Sequence, residues 1–530
     1  MSIFRENVQT ILEARYLKRK ADGSFETHED MIRRVAKCAA SAEKDEEAQK
    51  RYEDEFYGII ESLDFLPNSP TFMNAGKEDG QLSACFVLPI EDSIESIMNT
   101  VKRAAVIHKT GGGTGIILSK IRPRNFPVNS TLGVASGPCS FLRIFDTTTD
   151  VIKQGGVRRG ANIGSLKITH PDIEEFVSMK SDGGLSNFNI SAVVTDEFMR
   201  RVLTGRRHNL LWRGEKIKQV KASSLFDLIA ENAWNTGDPG LLFYDAINRD
   251  NPTPWLGRIE GTNPCGEEPL LAYESCNLGS INLTNFVRDG SFNKKALGDT
   301  VRLAVRFLDN IIDVNCYPNV KIRNATRQTR KIGLGVMGWA DMLVMLGLEY
   351  DSEEALDLAD RMMKFIRDTA YKASEELARE RGAFPQFRRN GRRPRRNACL
   401  LAMAPTGTIS MLAGVSSGIE PIFSRNYVKV VLDNQAIPLS EGYQGKTFKT
   451  AHEISYRSHI DMQAVFQKYT DAGVSKTINM PEEATVQDVK DAYIYAWQNN
   501  AKGVTIFRNN CKDGVYLDFS DCQNGRCELL

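Results

Sequence analysis

The segment Asn263-Pro264-Cys265-Gly266-Glu267 sets an amide, a thiol and a carboxylate at alternate positions. Side chains alternate faces along a strand, so an extended conformation would aim residues 263, 265 and 267 at one small ligand. That is a thiol site with a carboxylate beside it. Two more cysteines lie in runs that also hold Gly, Asn or Ser: Cys85 in Leu82-Ser83-Ala84-Cys85-Phe86, and Cys276 in Glu274-Ser275-Cys276-Asn277-Leu278-Gly279. Thiolates also bind zinc and iron–sulfur clusters, but no C-x2-C pair supports a metal site. Cys522 and Cys527, spaced C-x4-C near the end with no nearby histidine or second pair, fit an exposed redox dithiol, and such a dithiol needs a buried disulfide to serve. Cys38, Cys139, Cys316 and Cys399 have no suggestive partner and read as core residues.

Other runs suit anions with less specificity. Ala404-Pro405-Thr406-Gly407-Thr408-Ile409-Ser410 places hydroxyls and a glycine at a predicted helix start, which suits a phosphate as well as an ordinary cap. Lys109-Thr110-Gly111-Gly112-Gly113-Thr114-Gly115 lacks the Gly-Lys-Ser/Thr of a Walker loop and reads as a flexible or tightly packed loop. Gln154-Gly155-Gly156-Val157-Arg158-Arg159-Gly160 joins glycines to two guanidinium groups. The basic run from Arg388 to Arg396 reads as a solvated loop near a phosphate site in preference to a nucleic-acid patch.

The elements that must hold these residues come next. The chain has 530 residues, 42% hydrophobic and 25% charged, which fits a globular enzyme and excludes fibres and disordered chains. A net charge of +1 gives no global pull toward nucleic acid or an anionic membrane. No signal-peptide core and no apolar run of spanning length occur, so a cytoplasmic protein without membrane segments is expected, and ten cysteines are too sparse for a secreted disulfide scaffold. Residues 1–66 read as a small helical domain. From residue 67 to 508, short apolar runs such as Ala84–Pro89 and Gly115–Leu118 alternate with helical segments, the pattern of a mostly parallel α/β sheet or barrel. One long helix is expected to start at Asp351 and Glu354 with capping-box spacing, to bury Leu358, Met362, Ile366, Ala370, Ala373 and Leu377, and to stop at Gly382. Residues 509–530 form a polar tail, expected to be mobile.

With these motifs in this order, residues 8–510 resemble the catalytic subunit of ribonucleotide reductases. The likeness is most specific in Asn68-Ser69-Pro70-Thr71, Ser83–Val87, Gly155–Gly160, Asn263–Glu267, Ser275–Gly279 and Ala404–Thr408. It implies a ten-stranded α/β barrel whose central finger loop carries Cys265. The resemblance makes Cys265 the transient thiyl radical that takes the 3′ hydrogen of the ribose. Glu267 would take the 3′ hydroxyl proton, and Asn263 would fix the sugar. Cys85 and Cys276 would supply the reducing equivalents at C2′ and close to a disulfide, which the tail pair Cys522 and Cys527 would reduce again for thioredoxin or glutaredoxin. Ser69, Ala84, Thr406, Gly407, Thr408 and Ser410 would hold the substrate, a ribonucleoside diphosphate. A homodimer is implied, with a nucleotide effector near Asp92 and Arg122 and the Arg158 and Arg159 loop relaying its identity.

The family divides by what oxidises the thiol. Relatives served by a separate radical subunit carry adjacent tyrosines where this chain has Gly503-Val504-Thr505-Ile506-Phe507-Arg508, and the glycyl-radical motif Arg-Val-x-Gly-Tyr is absent. The similarity therefore implies adenosylcobalamin, with a minimal catalytic subunit needing a separate radical partner as the alternative. Two other functions compete: a thiol oxidoreductase acting on proteins, which leaves the Asn-x-Cys-x-Glu segment unexplained, and a non-catalytic nucleotide-binding regulator.

Overall fold

The apolar runs become short strands in a computed structural model that describes residues 8–511 except 129–131, 155–157, 182, 289, 390–392, 425, 432–434 and 441–447, together with 516–518. The main sheet has ten strands: β1 Phe65–Pro67, β2 Cys85–Pro89, β3 Gly113–Ile117, β4 Asn162–Lys167, β5 Phe188–Val194, β6 Gly240–Phe243, β7 Ser275–Asn282, β8 Ile332–Met337, β9 Thr477–Met480 and β10 Gly503–Arg508. Strands β2 to β6 run parallel in chain order. Strands β7 and β8 form a second parallel pair, and β9 and β10 a third. The joints are antiparallel, β7 against β2 and β6 against β10, while β1 adds to β7 from outside.

Residues 401–403 close the remaining gap by parallel bridges from Leu334 to Leu401 and from Met403 to Val474. The sheet thus returns on itself as a barrel of two parallel halves. Most residues of its strands are buried, polar ones such as Asn162, Ser275 and Asn277 included, because both faces are covered. Outside it, the helices His28–Ala40 and Glu46–Glu61 lie toward Lys294–Val314, with Phe56 edge-on to Phe307 at 5.2 Å. No helix among the described residues is long and apolar enough to cross a membrane.

A small hairpin, Gly261–Thr262 paired with Pro269–Leu270, enters the barrel, and glycines make its path. A Cβ on Gly115 would lie 1.7 Å from the Thr262 carbonyl oxygen, one on Gly113 2.9 Å from the Pro264 ring, and one on Gly473 2.6 Å from the Gly266 oxygen. The glycine run at 111–115 is therefore tightly packed strand and turn. Gly115→Ala is expected to destabilise the protein by about 3 kcal/mol, because backbone rather than a side chain must give way. Gly58→Ala, on an open helical face, is expected to be neutral or slightly stabilising. Denaturant midpoints of the two variants check this; equal midpoints would refute it.

The long helix spans Glu353–Arg381 and ends at Gly382, with Met362, Ile366, Ala370, Ala373 and Leu377 buried and Leu358 half-buried. Its cap is Ser352, whose hydroxyl accepts from Ala355 N–H, and not Asp351, whose carboxylate is held by Lys449 at 2.9 Å. The basic run is also less solvated than expected. Arg395 is buried over the Tyr371 ring at 4.2 Å, and Arg396 pairs with the buried Asp309 at 3.3 Å.

Candidate active site

Residues 263–268 form the loop of the finger hairpin and are not extended. Gly266 N–H donates to the Asn263 carbonyl at 3.1 Å with Gly266 at φ +83°, a conformation in which glycine carries no Cβ penalty. Glu268 N–H donates to the Asn263 side-chain oxygen at 2.9 Å, and Gly473 N–H to the Glu267 carbonyl at 2.7 Å. The turn brings Glu267 and Glu268 both inward, at 2% and 0% exposure, and leaves Cys265 exposed at the tip. Asn189, on β5, steadies that tip through a 3.0 Å bond to the Pro264 carbonyl.

Cys85 and Cys276 face each other directly across the antiparallel joint of β2 and β7. Paired residues in such a ladder have Cα atoms about 4.5–5.5 Å apart, inside the range a disulfide spans. Both thiols are reduced, and burial raises both far above the ordinary range. Their surroundings differ. Asn263 Nδ2 donates to Cys85 Sγ at 3.1 Å, whereas Cys276 Sγ donates to Glu268 Oε1 at 3.1 Å. Burial also lifts the Glu267 carboxyl to about 7, and its Oε2 has no hydrogen-bond partner.

A cavity of about 230 Å³ collects Cys85, Asn263, Cys265 and Glu267 with Ser69, Ala84, Thr406, Gly407 and Thr408. Cys276 stands behind Cys85 and outside this lining. So does Ser410, which is 1% exposed and bonded to Ser417 at 3.1 Å because it lies inside the first turn of the helix Ile409–Ala413. Two residues the sequence did not suggest border the same wall: Arg15 Nη1 donates to the Thr408 hydroxyl at 3.3 Å, and Tyr16 bonds Ser69 at 2.8 Å. They lie in a helical turn far along the chain from Ser69 and Thr408, and no local pattern marks them.

A second cavity of about 230 Å³ lies on the other side of the tip, lined by Asn189, Ser191, Ser475, Thr477 and Thr505 among others. Among the described residues the two cavities share only Pro264, Cys265 and Pro405. Cys265 is thus the one reactive side chain presented to both.

The remaining predicted residues lie elsewhere. Arg122 grips Asp92 with both carboxylate oxygens within 3.0 Å, and Arg213 approaches at 3.4 Å, beyond the far end of β2 from Cys85. Arg158 and Arg159 pair through their backbone with Gln154 and Lys153, and their side chains lie outside the described residues. Cys522 and Cys527 lie outside the described residues altogether.

Two family models match the chain: the ribonucleotide reductase barrel domain over residues 83–393, 390–444 and 435–507, and the ribonucleotide reductase all-alpha domain over residues 4–80. The chain belongs to the ribonucleotide reductase family. Within it, the chain is similar to the vitamin B12-dependent ribonucleoside-diphosphate reductase of Thermoplasma acidophilum, 48% identical over 93% of this chain and 68% of the relative. The protein of the same description from Mycobacterium tuberculosis is 44% identical over 96% and 78%. The vitamin B12-dependent ribonucleotide reductase of Streptomyces clavuligerus is 32% identical over 87% and 60%.

Proposed function

We propose that this protein reduces ribonucleoside diphosphates to 2′-deoxyribonucleoside diphosphates by thiyl-radical chemistry that depends on adenosylcobalamin. The observation that carries the reading is the single thiol, Cys265, shared by two cavities, with the facing pair Cys85 and Cys276 and the base Glu267 on one side only. The nucleotide occupies that side. Cys265 removes the 3′ hydrogen, Glu267 takes the 3′ hydroxyl proton through its unpartnered oxygen, and Asn263 orients both the sugar and Cys85. Cys85 and Cys276 then give two electrons and two hydrogens at C2′, one hydrogen leaving in water, and become a disulfide, after which Glu267 returns its proton to O3′ and Cys265 its hydrogen atom to C3′. Ser69 and the Thr406 to Thr408 turn hold the phosphates, with the Arg15 charge beside Thr408 adding to the attraction.

The second cavity fits a nucleoside-sized group. It is lined by the amide of Asn189 and the hydroxyls of Ser191, Thr477 and Thr505, which suit the polar edges of such a group, and β10 contributes Thr505 there without any tyrosine. Adenosylcobalamin with its adenosyl group held there by Asn189, Ser191, Thr477 and Thr505 would supply a carbon-centred radical. Asp92, Arg122, Arg158 and Arg159 hold and relay an effector nucleotide at a homodimer interface. Exposed apolar residues Ile94 and Met98 on the helix Ile94–Lys109, and Ile144 and Val151 on or near its neighbour, suit burial by a second copy. Residues 1–66, 67–508 and 509–530 act as helical, catalytic and redox-tail units of a cytoplasmic enzyme. Cys522 and Cys527 return electrons from thioredoxin or glutaredoxin.

The test is reconstitution. Purified chain, adenosylcobalamin, dithiothreitol and a ribonucleoside diphosphate are expected to yield deoxynucleotide with no other protein present. Turnover that needs a second, radical-bearing protein, and is indifferent to the cofactor, would replace this reading with that of a catalytic subunit with a separate radical partner.

A further inference from the structure

Cys85 and Cys276 are not equivalent sulfurs. Cys85 lines the nucleotide cavity and faces a donor, the Asn263 amide. Cys276 is 0% exposed, and its three polar neighbours all accept: Glu268 Oε1 at 3.1 Å, the Asn277 carbonyl at 3.4 Å and the Lys331 carbonyl at 3.6 Å. A thiol satisfies that arrangement by donating its proton. A thiolate there would meet only oxygen lone pairs in an apolar cluster, which is among the costliest places for a buried charge.

Reduction of the disulfide must nonetheless release each sulfur in turn. A dithiol entering through the cavity reaches Cys85 first, and the electron pair of the broken S–S bond then moves to Cys276. We infer that Glu268 is the acid that protonates Cys276 at this step, so that the buried sulfur leaves as a thiol. This rests on the assignment of Cys85 and Cys276 as the redox pair. The balance closes. The dithiol loses two electrons and two protons as it becomes a disulfide. Glu268 gives its proton to Cys276 and regains one from the dithiol, and the other proton goes to Cys85 when the second dithiol sulfur displaces it.

The site is built for such a group. A Cβ on Gly333 would lie 2.3 Å from Glu268 Oε1, so the bare glycine of β8 makes room for this oxygen, and Oε2 has no hydrogen-bond partner. The neighbouring cation is committed elsewhere, since Lys331 Nζ bonds Glu274 at 2.6 Å. Burial above all pushes the Glu268 carboxyl up to about 8. Glu267 and Glu274 push the same way, while the Cys276 hydrogen bond and Lys331 pull it down. The thiols of Cys85 and Cys399 also face it. Glu268 is therefore protonated, and able to donate, at neutral pH.

The test follows reduction of the disulfide formed by one turnover of the full cofactor-loaded chain. The probe is dithiothreitol, with alkylation and mass spectrometry as readout from pH 6 to 10. Rates are expressed per dithiothreitol thiolate. In the native chain this rate is expected to fall as pH rises through about 8, when Glu268 loses its proton. In Glu268→Gln it is expected to be about tenfold lower at pH 7 and flat, meeting the native rate above pH 9. Glu268→Asp keeps a carboxyl and is expected to restore the pH dependence. Equal rates and profiles in native and Glu268→Gln protein would overturn the inference. If the glutamine variant does not fold, a native profile without a fall near pH 8 does the same. Absence of any Cys85–Cys276 disulfide after turnover, with Cys85→Ser as control, would instead overturn the pair assignment and this inference with it.

Discussion

Cys265→Ser is expected to lower deoxynucleotide formation by at least about 10⁴-fold, the scale on which removing one member of a single chemical unit is felt. The reason is the bond. An S–H bond gives up its hydrogen atom far more readily than the O–H bond that replaces it, and no other described residue with a reactive side chain belongs to both cavities. Serine keeps the size and polarity of the tip, so nucleotide binding, measured by equilibrium dialysis, is expected to survive. The Cys85 and Cys276 pair is expected still to close and reopen with added diamide and dithiothreitol. A variant that retains turnover would remove Cys265 from the centre of the reaction. Loss of the chemically driven dithiol exchange as well would point to a collapsed fold.

Glu267→Gln is expected to lower turnover by about 10²–10⁴-fold, the usual worth of a positioned base, with little change in nucleotide affinity. The sign of its pH dependence follows from the raised carboxyl. With a midpoint of about 7, Glu267 is largely protonated and idle as a base at pH 6 and largely ionised at pH 8. Native turnover is accordingly expected to climb as pH rises through about 7, and the residual turnover of the glutamine variant to show no such climb. A variant whose rate still rises through that range would assign the inflection to a different group.

Much of the fold was legible because barrel strands covered on both faces leave an unmistakable trace of short apolar runs between glycines and prolines. The Ala84–Pro89 and Gly115–Leu118 runs became β2 and β3 almost residue for residue. The long helix announced its buried stripe and its stop, though not its cap, since Asp351 and Ser352 both suit that position and only tertiary structure assigns Asp351 to Lys449. Period-two reasoning found the convergence of the finger residues but not its conformation. It brought Asn263, Cys265 and Glu267 together, and they do line one cavity, but through a turn at the positive φ of Gly266 that also folds Glu268 inside, a residue the sequence did not suggest. Arg15 and Tyr16 were illegible for another reason. Their roles depend on a helical turn at the start of the chain meeting Thr408 through Arg15 and Ser69 through Tyr16, and neither separation leaves a local pattern.

Among the described residues, two prolines and one thiol line both cavities. The prolines restrict the backbone on either side, and the sulfur is the shared described group with the most readily transferred hydrogen. On the reading proposed above, this arrangement acts as a one-wire junction: what happens on the far side reaches the sugar as the presence or absence of one hydrogen atom on Cys265. The nucleotide chamber is therefore indifferent to how its oxidant is made. On that reading, a protein organised in this way can change its source of oxidant by altering Ser191 or Thr505, which do not hold the finger tip as Asn189 does.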